Sequence, residues 1–171
     1  MPMRKTFLMS FMTGLLLVLG WKVFSLPKAP SVDEIYRKIN RLYGLSETEV
    51  NAIMGEPEGV ERMGAEPMYF WNIFPDNSSY RFYCMYHDDR CMASMYLEMH
   101  KGTKHYEVRY NEILQALTEK FGTSVRDSRG IASWHKGDRK LGITHMFFKD
   151  RELGVVSIML FNKNFKVPLG K

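Results

Sequence analysis

Residues 80–97 read YRFYCMYHDDRCMASMYL. Two runs rich in aromatic residues, Met and Cys flank a short polar centre at His87, Asp88 and Asp89. That is the pattern of a β-hairpin: residues suited to a pleated, half-buried surface, broken where Asp favours a turn. With Cys84 set opposite Cys91, His87 and Asp88 make the two-residue turn, Met85 faces Arg90 and Tyr86 faces Asp89. Phe82, Cys84 and Ala93 then share one face, and Tyr83, Met85, Met92 and Tyr96 share the other. This register predicts a Cys84–Cys91 disulfide that pins the pairing and stabilises by about 2–3 kcal/mol in the chain-entropy picture. Two reduced, buried thiols are the alternative; the spacing is not that of a Cys-x-x-Cys redox pair. Tyr83, Met85, Met92 and Tyr96 are the candidate partner-binding patch, because Tyr and Met are enriched where proteins recognise proteins. A helix or the other half of the chain covering them would remove the patch.

Working outward, the same order of elements occurs twice. Residues 31–43 carry Val32, Ile35, Tyr36, Ile39, Leu42 and Tyr43 at helical spacing, with Ser31 and Glu34 as a capping box. Ser46 and Glu49 open a second, shorter helix that Gly55 and Pro57 stop. A loop leads to an aromatic strand over 68–74, and then to the hairpin. In the second half, residues 106–121 form a helix ended by Gly122. A polar loop leads to a strand over 131–135, and a hairpin over 141–161 turns at residues 149–152. Trp71 lies 17 residues before Asp88, and Trp134 lies 16 before Asp150. The fold expected is α+β: two tandem α-β-β-β units, 31–105 and 106–165, with an antiparallel sheet and helices packed on one face.

The segment Leu45-Ser-x-x-Glu-Val-x-x-Ile-Met-Gly-Glu-Pro-x-Gly59, followed by a strand with Trp71, resembles the core signature of the SmpA/OmlA (BamE-like) family of envelope lipoproteins. The β-lactamase inhibitor protein carries two such units in tandem. The resemblance covers residues 46–97, with a looser echo in the second half. It implies a helix-helix-three-strand unit, an envelope location and binding to another protein, and it brings no catalytic residues. The lipid-attachment cysteine of the lipoproteins is missing here.

The chain starts with a basic n-region, Arg4 and Lys5, followed by an apolar run of 15 residues over 7–21. That is short of the roughly 20 a membrane span requires and fits a signal peptide. Cleavage after Ser25 is one expectation; an uncleaved anchor over 7–26, with Lys22 snorkelling, is the other. Residues 1–25 are thus leader or anchor and 26–30 a linker, which directs the remainder to the periplasm or another extracytoplasmic space. Without the three leader cations, 21 basic residues stand against 19 acidic ones, a net of +2. No basic stripe of the kind nucleic acid requires is present.

The function expected is an extracytoplasmic protein-binding module whose partner is another envelope protein, as an assembly factor or an inhibitor of the immunity type. No cofactor is implied. The alternative is a small periplasmic hydrolase or metal protein built on His87, Asp88 and Asp89, although Asp at a hairpin turn has a backbone explanation. Met95, Met99, His100 and His105 are a weaker candidate set of soft copper ligands. No Gly-x-Ser-x-Gly elbow or Gly-rich phosphate loop is present.

Overall fold

Local signals set where the helices begin and end. In α1 (Val32–Leu42) the Ser31 side chain accepts from the Glu34 N–H, and the Glu34 carboxylate accepts from the Ser31 N–H at 2.8 Å. In α2 (Glu47–Met54) Ser46 and Glu49 form the same reciprocal cap. Two N–H groups with no partner inside the helix are thereby satisfied at each start. α3 (Lys104–Phe121) turns Tyr106, Tyr110, Ile113 and Leu117 inward. Gly55 and Gly122, both at φ 81°, end α2 and α3 in the left-handed region that glycine enters without strain.

The computed structural model describes residues 28–164, apart from 64–65, 75–76, 103 and 129. The leader or anchor over 1–26, part of the linker and residue 165 lie outside the described residues. The chain divides at Pro30 into two units, and the account below concerns the second.

Its strands are β1 (Gly59–Met63), β2 (Glu66–Phe74), β3 (Asn77–His87), β4 (Arg90–Lys101), β5 (Val125–Arg126), β6 (Ala132–Lys136), β7 (Arg139–Phe148) and β8 (Leu153–Asn162). They form one eight-stranded sheet in the order β1-β2-β3-β4-β8-β7-β6-β5, antiparallel at every step. β1 and β5 fall in stretches expected as loops, so among the described residues eight strands form where the sequence pattern predicts six. The mixed helix and antiparallel-sheet class stands as expected.

Side chains alternate across the sheet. On the helix side Phe82, Tyr96, Trp134, Leu141, Val156 and Ile158 pack against Ile35, Ile39, Ile113 and Leu117. The buried Ser94 hydroxyl donates to the Ile39 carbonyl at 2.7 Å and ties α1 to β4. On the other side Met68, Tyr83, Met85, Ala93 and Met95 form a second buried cluster. Gly154 lets α3 sit down on the sheet: a Cβ there would lie 2.1 Å from the Tyr106 ring.

The hairpin register differs from the sequence expectation. His87 pairs with Arg90, and the turn residues are Asp88 and Asp89, at φ 49° and 58°. Two successive positive φ values are what a type I′ hairpin turn requires, and Asp tolerates them better than His. Tyr86 pairs with Cys91 and Met85 with Ala93, so Met92 is the extra residue of a β-bulge. Cys84 therefore faces Ser94, not Cys91.

Candidate functional site

The bulge undoes the expected patch. Tyr83 and Met85 lie on the side away from the helices, 3% and 2% exposed, while Tyr96 is fully buried beneath them. Met92 is half-buried in the bulge. The four side chains do not share a face, and Tyr83, Met85 and Tyr96 are core.

Cys84 and Cys91 are free, buried thiols in a cluster with Leu42, Val50 and Trp71, and are not in disulfide geometry. The Cys91 thiol donates to the Ala93 carbonyl at 3.4 Å. Its backbone exchanges two 2.8 Å bonds with the α1–α2 connector, from Gly44 N–H to Cys91 O and from Cys91 N–H to Leu45 O. The hydrogen bond between the two thiols, reinforced by burial, pushes Cys84 far above the ordinary thiol range. At Cys91 the tie between hairpin and helices is thus made by backbone, not by the thiols.

His87 and Asp88 approach to 3.6 Å on the exposed turn, with side chains 61% and 91% exposed. That geometry gives a solvated pair on the surface. The copper set does not converge: Met95 belongs to the far-side cluster, whereas His100 is bonded to Glu98 on the helix side. Among the described residues, no group of three His, Cys, Asp or Glu side chains comes together as a metal site.

Two features escaped the sequence reading. The first is Glu98, fully buried on β4. Its carboxylate accepts from Arg109 Nη2 at 2.9 Å and Nε at 3.1 Å, from Tyr96 OH at 2.5 Å, and pairs with His100 Nε2 at 3.1 Å. Burial alone would raise the Glu98 carboxyl, but the bonds from His100, Arg109 and Tyr96 outweigh it and hold it below the ordinary glutamate value. Burial and the neighbouring carboxylate push the Tyr96 phenol up. Every lone pair is used, so this network locks α3 to β4 and leaves no acceptor for a substrate.

The second is a cleft of about 740 Å³ between the C-terminal part of α1, the end of α3 and the β6–β7 hairpin. One wall is a row of rings: Tyr36 and Phe121 lie 5.0 Å apart and Phe121 and Trp134 6.5 Å. Leu141 and Leu160 also line the space. The register places Lys136 opposite Arg139 at the hairpin end, on the helix side of the sheet. Arg139 donates to Asn40 Oδ1 at 3.2 Å and stacks over Tyr43 at 4.8 Å, which fixes its direction. Among the described residues Arg139 meets no carboxylate, and the Lys136 side chain is exposed with no hydrogen bond or ion pair. Among the described residues no acidic side chain lines the cleft. The space has the size of a ligand pocket and the composition of one: apolar walls with a few fixed polar groups.

The Trp134 Nε1–H donates to the Gly122 carbonyl at 2.7 Å, and the Trp71 Nε1–H to the Gly55 carbonyl at 2.9 Å. Each indole thus caps the helix that precedes its strand, which also holds the Trp134 ring edge at the cleft wall.

No known protein family matches the chain, and no curated protein matches it. Among solved structures it is similar to a DUF4309 family protein (YjgB) from Bacillus subtilis, with 17% identity and a TM-score of 0.46 over 77% of this chain and 95% of that one. It is also similar to a cysteine-rich secretory protein from Staphylococcus aureus, with 8% identity and a TM-score of 0.42 over 72% of this chain and 44% of that one. Likenesses this distant carry no argument about function. Among the described residues no helix is long and apolar enough to cross a membrane.

Proposed function

We propose that the chain is an extracytoplasmic binding module, tethered or secreted through residues 1–26, that acts by contact with another envelope protein. The observation that carries this reading is the cleft: about 740 Å³ of ring-lined space with Lys136 and Arg139 at one end. An assembly factor and an inhibitor of the immunity type both work this way. The contact surface moves from the hairpin patch, which is core, to the α1–α3–β6 cleft. The finer fold reading, two tandem units resembling the SmpA/OmlA family, is supported by the paired indole bonds. Trp71 to Gly55 and Trp134 to Gly122 repeat one device, each on a helix-ending glycine at φ 81°. The strand order, which runs inward from both edges to β4 and β8, supports the same reading.

The test is site-specific photo-crosslinking in intact cells with the full chain and its leader. A photoreactive residue at Thr123, exposed at the cleft, is expected to give a discrete adduct with one envelope protein. The same residue at Lys149, on the opposite hairpin, is expected to give none. Equal adducts from both positions, or none from either, would sink the reading.

A further inference from the structure

The cleft adjoins an open strand edge. β6 pairs with β7 along its whole length, but with β5 only at Ala132 and Ser133. β5 begins at Val125, and Ser124 just before it runs beside Trp134 toward Gly122, whose carbonyl holds the Trp134 indole; opposite His135 and Lys136 no strand lies on the outer side among the described residues. The phase of the free backbone groups follows from a bond just upstream. The Ile131 carbonyl accepts from the Asp127 N–H at 3.1 Å, so Ile131 points toward the β5 side. Residues two apart on a strand point the same way, which puts the Ser133 and His135 backbone there too. Ser133 meets Val125; the His135 N–H and C=O lie past the end of β5. The side chains flanking His135, Trp134 and Lys136, both point into the helix-side cleft.

From this juxtaposition we infer that the cleft takes an extended, acidic peptide segment of the partner, added as a strand at His135. This rests on the binding-module reading above and names its ligand class. A guest strand paired at His135 directs alternate side chains to the helix side. There one guest residue meets the Tyr36–Phe121–Trp134 rings, and the next on that side meets Lys136 and Arg139. The first is therefore apolar and the second is Asp or Glu. Charge complementarity sets the sign, because among the described residues the lining holds Lys136 and Arg139 and no carboxylate. Lys136 has no internal partner to give up, and Arg139 is already aimed by Asn40 and Tyr43. That pre-organisation lowers the cost of binding.

The test probes the full chain with an array of unmodified random-sequence decapeptides, followed by titration of the best binders. Quenching or shift of Trp fluorescence is the readout. Binders are expected to pair an apolar residue with Asp or Glu two positions away. Replacing that acid with Lys is expected to abolish binding, and Lys136→Glu to weaken it at least tenfold. Affinity is expected to fall as salt rises. N-methylating the peptide amide that faces His135 is expected to cost tenfold or more, whereas N-methylation one residue away is not. Lys136 is exposed and unpaired, so its variant is expected to keep the parent circular dichroism and melting curve. A crosslinked partner at Thr123 with no acidic preference among the peptides would overturn the inference and leave the binding module standing. So would binders that tolerate both Lys136→Glu and N-methylation. Failure of both experiments would overturn both.

Discussion

Replacing Glu98 with Gln keeps the side chain's size and removes one charge from the middle of the domain. The structure shows what is left behind. The Glu98 side chain is 0% exposed, and those of Arg109 and His100 are 17% and 18% exposed, so the donors cannot turn to water without opening the packing. Removing one member of a buried ion pair costs about 3–5 kcal/mol. Gln retains one acceptor oxygen, which places the expected loss at the lower end, about 3 kcal/mol. In a domain of this size that lowers Tm by roughly 10 °C. The penalty comes from the stranded guanidinium, so Arg109→Gln in the same chain is expected to recover at least about 1.5 kcal/mol of the summed single penalties. Equilibrium urea unfolding of the parent, both singles and the double measures all of this. The pH dependence gives a second check. Glu98 is depressed in the folded state and faces Tyr96 and His100 on β4, Arg109 on α3, which also bonds Glu112, and Tyr80 on β3. Its contribution is therefore complete above the unfolded value of about 4.3 and is lost as pH falls through the lower folded value. The parent is expected to lose stability over that window, and the Glu98→Gln variant to lose less. A Glu98→Gln protein within about 0.5 kcal/mol of the parent, or single penalties that simply add, would refute the account.

Gly154→Ala drives a methyl into the Tyr106 ring, 2.1 Å from its nearest atom, and is expected to destabilise by about 2–3 kcal/mol through lifting α3; thermal unfolding measures it. An unchanged Tm would show that α3 shifts freely on the sheet. Cys84 and Cys91 are expected to ignore Ellman's reagent in native buffer and to react in denaturant as two thiols, since both are buried and Cys84 is held protonated. Rapid native labelling, or no labelling after unfolding, would contradict the geometry.

The sequence discloses what is local. Ser31 with Glu34 and Ser46 with Glu49 are caps because three residues of separation suffices to close them. Gly55, Gly122 and the two tryptophans likewise mark where helices end and strands begin. The hairpin misleads because β3 is buried on both faces: Phe82 and Cys84 on one, Tyr83 and Met85 on the other, all under 10% exposed. With no polar phase to follow, the two cysteines set the register, and the bulge at Met92 leaves no trace in the pattern. Glu98 stands out in hindsight as the one acid among Tyr96, Leu97 and Met99, yet its partner Arg109 lies across a loop on α3. The cleft belongs to no segment. It is the space between residues 36, 121 and 139, which only the tertiary arrangement brings together.

The strand order also dictates when the domain can close. β8, the last strand, enters between β4 and β7 and completes the middle of the sheet, with Ala93 to Lys101 pairing against Phe161 to Leu153. A chain delivered from its N-terminus builds β1 to β4 first, and then holds the nine-residue β4 edge bare while some 50 further residues emerge. That edge carries Met95, Tyr96 and Leu97, a segment prone to pair with other strands. Vectorial synthesis thus leaves this border open until β8 arrives, a window in which it can pair with strands other than its own.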